Sequence, residues 1–286
     1  MEEIFASAQS SQGPTHLPHI APMPDLPGTP GFGPDAYEIN NFLSLFATAM
    51  LSVGSPTARV CRNVARIASS FGFMAELVVF PKNFVLTVTR KNRRDRRTAV
   101  SSMGIGAPDF QKISGLNTLG WDIVDQHLSL QEARVRLQSI LTGPKYQVVH
   151  TCIISAIAEA AFCEIFGGDL WAMLFVFFST VVGYMVRFEL RKAGFNTFIT
   201  YFAVSFISSL ASTPCILFNL GSTPQIALAT SVLFLIPGIP LINATQDMLD
   251  GHLLMGFSRA VDATLLIFCI ALGLALTMAI LGVGGL

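Results

Sequence analysis

The second half of the chain is a series of long apolar segments separated by short polar connections. Each segment meets or approaches the roughly 20 residues that a helix needs to cross about 30 Å of hydrocarbon. The pattern therefore predicts an α-helical integral membrane protein with five transmembrane helices in residues 145–286. The predicted helices occupy approximately 147–167, 170–188, 197–219, 226–247 and 254–284.

The first half is patterned as a soluble domain behind a polar tail. Residues 1–36 are rich in Pro, Gly and Ser, a composition that predicts a disordered tail. Residues 37–144 mix helical and strand periodicity and predict a small cytoplasmic α/β domain. At about 110 residues, this domain is large enough to have a core of its own.

Within this domain the periodicity predicts both helices and strands. The runs AELVVF and NFVLTVT, separated at Pro81-Lys82, are typical of two paired strands. The basic run from Arg90 to Arg97 is interpreted as a solvated loop, with contact to anionic lipid as the alternative. The other predicted elements are helices at 38–53, 60–71, 118–127 and 129–141 and a strand at 109–114; the last helix begins at a capping box of Ser129 and Glu132.

The basic residues of the membrane half predict its orientation. Lys and Arg are absent from the connections at 167–169 and 219–223 and lie in the connections on the opposite side. By the positive-inside rule, the soluble domain is cytoplasmic, the C-terminus is outside and the protein lies in the inner (plasma) membrane. The orienting residues are Lys145, Arg187, Arg191, Lys192 and Arg259.

Composition agrees with a membrane protein. Of the 286 residues, 52% are hydrophobic and 13% are charged, whereas soluble domains carry about 25% charged residues. The net charge of zero gives no support to nucleic-acid binding. The five cysteines are scattered without metal-ligand spacing and are interpreted as free thiols. We recognise no signal peptide, nucleophile elbow, HExxH, P-loop or dinucleotide-binding glycine motif, so we expect neither an enzyme nor a cofactor.

The fourth apolar segment contains Pro237-Gly238 and Pro240, which predict an interrupted helix. An interruption within a bilayer is tolerated only where protein or a water-filled cavity supplies partners for the backbone. Broken helices of this kind hold carboxylates and ions in transporters. We therefore expect the function to lie at this stretch.

Charged and amide side chains follow the break. Asn243 and Asp247 are four residues apart and share a helix face, which Asp250 continues. Arg259 could bind a substrate carboxylate with two hydrogen bonds, and Asp247 or Asp262 an ammonium group or a proton. The alternative is structural: Arg259 and Asp262, three residues apart, simply pair with each other.

Two further polar features lie inside predicted spans. Glu159 shares a face of the first span with Cys152, Ser155 and Cys163, and is either a structural carboxyl or a proton carrier that contacts substrate. The third span carries a serine stripe, which indicates close helix packing or, alternatively, a polar cavity. The stripe consists of Ser205, Ser208, Ser209 and Ser212.

Three stretches carry a resemblance to a known family. They are GSPTARV, LSLQEARVRLQSI and the longer PGIPLINATQDMLDGHLLMGFSRAVDA. The chain resembles the threonine/serine exporter family over about residues 38–286, and more closely the large subunit of its two-component form, which is associated with succinate export. The resemblance implies a secondary exporter with a cytoplasmic N-terminal domain, driven by an ion gradient.

The chain departs from single-chain members of that family, which have about ten spans. Because five is an odd number, a second half fused behind it would insert upside down, as in transporters built from inverted repeats. We therefore expect a partner, either a small membrane subunit of the same family or further copies of this chain.

These observations lead to one functional prediction and one alternative. The prediction is a proton-coupled exporter subunit for small carboxylate metabolites, either threonine/serine or a C4 dicarboxylate such as succinate. The alternative is a membrane-anchored signalling or scaffold protein that acts through its cytoplasmic domain. The predicted substrate-binding residues are Glu159, Pro237, Gly238, Asn243, Asp247, Arg259 and Asp262.

Overall fold

The computed structural model of the chain describes residues 34–90, 95–104, 106, 108–143 and 148–282. These residues form two compact units. The sheet unit contains 34–143 and 239–260, and the helical unit contains 148–238 and 261–282. The predicted domain boundary at 144/145 stays a prediction, while residues 239–260 group with the sheet unit. The predicted disordered tail lies outside the described residues except for 34–36, where helix α1 begins.

Four helices of the sheet unit belong to the N-terminal part of the chain. Helix α1 begins at a capping box in which Asp35 accepts from the Glu38 backbone and Glu38 accepts from the Asp35 backbone. The capping box of Ser129 and Glu132, predicted from the sequence, is confirmed at the start of α4. The helices are α1 (Ala36–Ser52), α2 (Thr57–Ser70), α3 (Phe110–Asp125) and α4 (Leu130–Thr142).

Three antiparallel strands form a sheet in the order β1-β2-β3. They are β1 (Phe73–Val79), β2 (Asn83–Arg90) and β3 (Arg96–Ser102). The predicted pairing of the first two strands is confirmed, with Leu77 opposite Leu86.

The interpretation of the basic run as a loop is wrong at its ends, while residues 91–94 lie outside the described part of the chain. Arg90 closes β2, and Arg96 and Arg97 open β3. An edge strand tolerates charged residues because its outer face is solvated. The predicted strand at 109–114 is also wrong: Asp109 caps helix α3, and Ile113 lies on its buried face.

The core of the sheet unit lies between α1, α2 and the inner face of the sheet. Alternate residues of β2, beginning with Phe84, point into this core, which follows from the two-residue period of a strand. Met255, far along the chain, belongs to the same core. The largest fully buried side chains are Phe42, Phe46, Phe73, Phe84, Ile39, Leu43, Met50, Leu51, Ile67, Leu86, Leu116 and Leu119.

The helices of the second half are long and apolar. In the described part of the chain, four are long and apolar enough to cross a membrane, and a bent pair raises the number to five if the pair is counted as one span. These helices agree with the predicted multi-pass helical membrane protein and give four or five candidate spans, and the number of five spans stays a prediction. The elements are α5 (Val148–Ile165), α6 (Leu170–Lys192), α7 (Thr197–Ser212), α8 (Pro214–Leu217), α9 (Pro224–Thr230), a 3₁₀ turn (Leu233–Leu235), α10 (Gly238–Leu249) and α11 (Leu253–Leu281).

The serine stripe on α7 packs helices together. Ser205 donates to the Ile270 carbonyl at 2.7 Å, and Ser208 donates to the Ser179 carbonyl at 2.8 Å. The Ser209 hydroxyl lies 2.6 Å from that of Thr277. These bonds join α7 to α6 and α11 and favour the packing interpretation over a polar cavity.

Candidate functional site: an ion pair at the start of helix α2

The fourth predicted span is interrupted at the place that the Pro-Gly pair indicates. Helix α9 is followed by the 3₁₀ turn, and α10 begins at Gly238. The chain bends by 56° between the two helical pieces. Ile236 is extended (φ −59°, ψ 124°), a conformation favoured before a proline such as Pro237. Pro240 lies in the first turn of α10, where a helix needs no backbone donor.

The candidate site is built around the turn that joins α1 to α2. Gly54 has a φ of +84°, and the backbone N–H groups of Gly54 and Ser55 donate to the carbonyls of Leu51 and Met50. This is a Schellman motif, in which glycine adopts the left-handed conformation. The next residue, Pro56, is the N-cap of α2 and has no side-chain oxygen to accept a hydrogen bond.

Asp247 of α10 supplies the acceptor that Pro56 lacks. Its Oδ1 accepts from the Thr57 backbone N–H at 2.8 Å, and its Oδ2 accepts from the Thr57 hydroxyl at 3.0 Å. A carboxylate at a helix N-terminus satisfies an orphan donor and interacts favourably with the helix dipole. Asp247 therefore caps α2 from a position 190 residues away in sequence.

Arg259 of α11 neutralises this carboxylate. Its Nη1 lies 2.8 Å from Asp247 Oδ2, and its Nη2 donates to the Ser55 carbonyl at 3.0 Å. The Asp247 side chain is 0% exposed and that of Arg259 is 9% exposed. Nη1 meets the distance for an ion pair but makes no hydrogen bond of good angle. The contact is therefore mainly Coulombic, between two charges that are both buried.

Asn243 completes the cluster from one turn earlier on α10. Its Nδ2 donates to the Gly54 carbonyl at 2.8 Å. Asn243, Asp247 and Arg259 thus converge on the turn at 54–57. The alternative pairing of Arg259 with Asp262 is wrong, because Arg259 pairs with Asp247 and Asp262 is exposed.

The hairpin of α10 and α11 fixes the position of these side chains. Helix α10 ends in a second Schellman motif, in which Gly251 has a φ of +85° and the His252 N–H donates to the Asp247 carbonyl. A Cβ atom on Gly256 would lie 2.8 Å from the Ala244 carbonyl oxygen. Glycine therefore allows α11 to approach α10 closely enough for the ion pair to form.

Cys61 lies on the helix that Asp247 caps. Burial raises the pKa of the Cys61 thiol, and the negative charge of Asp247 raises it further. The thiol therefore stays protonated at neutral pH, which makes it a poor nucleophile.

The remaining predicted site residues belong to the helical unit. Pro237, Gly238 and Asp262 lie there, and so does Glu159 on α5. Glu159 is 7% exposed, and its Oε2 has no hydrogen-bond partner among the described residues. Whether these side chains contact a substrate stays a prediction.

The comparison with known families agrees with this arrangement. A family model described as "Putative threonine/serine exporter" matches residues 41–281. The chain belongs to the threonine/serine exporter family. The match covers both the turn at 54–57 and the hairpin of α10 and α11, and it confirms the resemblance that the sequence motifs carried.

Two bacterial relatives illustrate the likeness, and each is named "Probable succinate transporter subunit YjjP". The protein from Klebsiella aerogenes is 33% identical over 146 residues, which cover 51% of this chain and 55% of that protein. The protein from Escherichia coli K12 is 35% identical over 130 residues, which cover 44% of this chain and 50% of that protein. The chain thus spans about half the length of the curated relatives it matches. No solved structure matches it.

Sequence reasoning missed the residues that the cluster contacts. Gly54, Ser55 and Thr57 lie in the GSPTARV stretch that carries the family resemblance, yet they were not predicted as site residues. The available signal was Pro56, since a helix that begins after a proline without a capping side chain needs an acceptor from elsewhere.

Proposed function

We propose that this chain is a subunit of a membrane exporter for small carboxylate metabolites, either threonine and serine or a C4 dicarboxylate such as succinate. The observation that carries the proposal is the buried Asp247–Arg259 pair, whose Asp247 lies in α10, the helical piece that follows the Pro-Gly break. Buried charges are costly, and charged groups beside a broken helix hold solutes and ions in transporters. Family membership and the names of the two relatives support the same function.

The chemistry of the pair suggests how a carboxylate would be recognised. Arg259 holds one carboxylate, that of Asp247, so a substrate carboxylate would exchange with it at the guanidinium. Asp247 would remain at the start of α2, where Thr57 donates two hydrogen bonds to it. The substrate would thereby change the contacts that hold the turn at 54–57, which is the differential interaction that a conformational cycle requires.

Proton coupling is assigned to Glu159. Glu159 is a carboxyl group in a membrane segment, and one of its oxygens has no hydrogen-bond partner among the described residues. Such a group is stable in its protonated form, and its ionised form becomes favourable only when water or a cation reaches it. Alternate exposure of such a group to the two sides of a membrane couples proton movement to transport. In this proposal, the backbone at the break is supplied by Pro237 and Gly238, and a further negative charge is supplied by Asp262.

The proposed assembly follows from the number of spans. With five spans, the soluble domain is cytoplasmic, the C-terminus is outside, and the pathway is completed by a small membrane subunit or by another copy of the chain. The inner membrane is the location that agrees with the positive-inside rule.

Efflux from cells tests the proposal. The double variant Asp247→Asn, Arg259→Ala should abolish efflux of labelled threonine, serine or succinate while the protein level stays normal. Asp250→Asn is the matched control, because Asp250 directly follows the same helix but is exposed. Efflux that persists in the double variant would reject the assignment. A phenotype that survives replacement of all spans by an unrelated anchor would instead support the scaffold alternative.

A further inference from the structure

Arg187 of α6 is an arginine within a membrane helix whose charge is not neutralised. Among the described residues, ion pairs are formed by Arg90 with Asp95, Arg136 with Asp122 and Arg259 with Asp247. Arg187 takes part in none of them. Its Nε is buried and has no hydrogen-bond partner in the described part of the chain. An arginine in this situation has the donors and the charge to bind an anion.

Arg187 lies on the inward face of its helix. Ser179 and Gly183, eight and four residues before it, are buried, and this spacing places all three on one face, where Arg187 itself is half-buried. Arg187 is five residues from the end of α6 at Lys192, about 8 Å along the axis. By contrast, Arg191 is exposed in the last turn.

The same face contacts the turn that precedes the break. A Cβ atom on Gly183 would lie 2.7 Å from Cζ of Phe234, which belongs to the 3₁₀ turn. The ring therefore packs directly against the α6 backbone, one helical turn from Arg187. Phe234 and Tyr201 both pack against the apolar cluster around Val204.

Tyr201 of α7 holds the guanidinium in place. Arg187 Nη2 donates to the Tyr201 hydroxyl at 3.0 Å, and the guanidinium carbon lies 5.1 Å from the centre of the Tyr201 ring. These contacts orient the planar group but supply no negative charge. The Arg187 guanidinium is therefore held in one orientation, and no carboxylate among the described residues pairs with it.

We propose that Arg187, oriented by Tyr201 on the inward face of α6 beside the 3₁₀ turn, binds a carboxylate group of the transported metabolite. This assignment rests on the proposed export function and adds a residue that the sequence analysis treated only as an orienting charge. It differs from Arg259 in one respect that matters for binding. Arg259 must first release Asp247, whereas Arg187 is already without a carboxylate.

Binding measurements on the full chain, reconstituted in nanodiscs together with the partner that gives transport, test this assignment. Labelled succinate and labelled threonine are the probes. Arg187→Gln should weaken binding of the transported probe by about tenfold or more, as expected when a hydrogen-bonded contact between a guanidinium and a carboxylate is lost. Arg187→Lys should be intermediate, since it keeps the charge but loses the fork geometry.

Arg191→Gln is the matched control, because it removes the same charge one helical turn away from an exposed position. It should leave the dissociation constant within about twofold. Tyr201→Phe should weaken binding less than Arg187→Gln, since it removes only the orienting hydroxyl. Size-exclusion elution and helical circular dichroism of each variant establish that the fold is kept.

A second readout separates substrate contact from structural support. Wild-type protein should bind succinate more tightly than succinate monoamide. In Arg187→Gln, the ratio of the two dissociation constants should fall towards one. For threonine, the corresponding comparison is between threonine and threonine amide. Unchanged affinity and preference in Arg187→Gln, with wild-type transport intact, would overturn this inference alone. Wild-type protein that neither binds nor moves any carboxylate probe would overturn the export function as well.

Discussion

At the scale of single residues, Asp247 makes two contacts that fix its side chain at the start of α2. It caps α2 through the Thr57 backbone and pairs with Arg259, and both charges are buried. Taking two charges out of water carries a desolvation penalty that their attraction largely offsets. The pair therefore specifies one arrangement of the turn at 54–57. Its contribution to the stability of the fold is measured most clearly when one of the two residues is replaced.

Asp247→Asn should destabilise the protein strongly. The change leaves Arg259 buried without its counter-ion, for which about 3 kcal/mol or more is expected. Adding Arg259→Met should recover part of this loss, because no unpaired charge then remains. Thermal unfolding of the purified protein in detergent measures both effects as shifts of the midpoint. Asp250→Asn, on an exposed position, should stay within about 0.5 kcal/mol. A double variant as unstable as the single one would contradict this account.

Glu159→Gln should uncouple transport from the pH gradient. The amide cannot take up a proton but has a similar volume, so substrate exchange should continue while net transport loses its response to an imposed gradient. Proteoliposomes with labelled substrate and a variable internal pH measure the two activities separately. Glu164→Gln is the control, since Glu164 lies on the same helix but is exposed. Transport that keeps its full pH response in Glu159→Gln would remove Glu159 from the coupling mechanism.

At the scale of elements, one carboxylate joins two connections of the helical unit. Asp169 caps α6 by accepting from the Ala172 N–H, and it also accepts from the Ser222 backbone and hydroxyl in the connection before α9. The Asp169 backbone N–H donates to the Thr223 hydroxyl at 2.8 Å. The hydrogen bond from Ala172, followed by that from Ser222, lowers the pKa of Asp169 below its ordinary value of 3.8.

This shift predicts that the two connections separate in acid. Because the pKa of Asp169 is lower in the folded state, its stabilising effect is present above the ordinary value and is lost as pH falls through the folded value. The Ser222 amide should therefore be protected from hydrogen exchange at pH values of about 5 and above and lose protection once the pH falls well below 3.8, after correction for the intrinsic rate.

The matched variant for this prediction is Asp169→Asn, whose Ser222 amide should be weakly protected at both pH values. The Leu220 amide is an internal control, since it donates to the Cys215 carbonyl and not to a titrating group. Protection of Ser222 that is the same at both pH values in the wild-type protein would show that Asp169 does not hold this connection.

Elements with strong periodicity could be predicted from sequence, and elements that depend on distant partners could not. Helix α4 carries its own capping box, and β1 and β2 are neighbours in sequence that pair locally. Strand β3 is rich in charge, and only its pairing with β2 makes it a strand. The hydrophobic pattern of residues 110–114 is compatible with either a strand or a helix. The helix forms because Asp109 caps its N-terminus.

The candidate site shows the same division. The i, i+4 spacing of Asn243 and Asp247 and the Pro-Gly break were readable because they are local features of the chain. Their partners on the turn at 54–57 were not, because sequence spacing does not show which distant helix end lacks a cap. For the same reason, the pairing of Arg259 with Asp262 was a plausible local alternative, although the carboxylate that Arg259 meets comes from α10.

At the scale of the whole molecule, the outer surface of the candidate spans bears on the proposed need for a partner. The described chain offers four or five candidate spans, with large apolar side chains such as Ile154, Leu170 and Phe268 exposed on their outer faces. Such faces are suited to lipid or to another membrane chain. The relatives in Klebsiella aerogenes and Escherichia coli K12 are named as subunits.

The last prediction concerns this requirement for a partner. The purified chain in proteoliposomes should move little labelled succinate or threonine alone, and transport should rise when a small membrane subunit of the same family is reconstituted with it. The physical reason rests on the predicted number of five spans, because a second half that follows an odd number of spans has the opposite orientation and the two halves can then enclose one pathway. Reconstitution of the small subunit alone is the control and should give no transport. Transport by the chain alone, with cross-linking into oligomers, would instead establish that copies of this chain complete the pathway for one another.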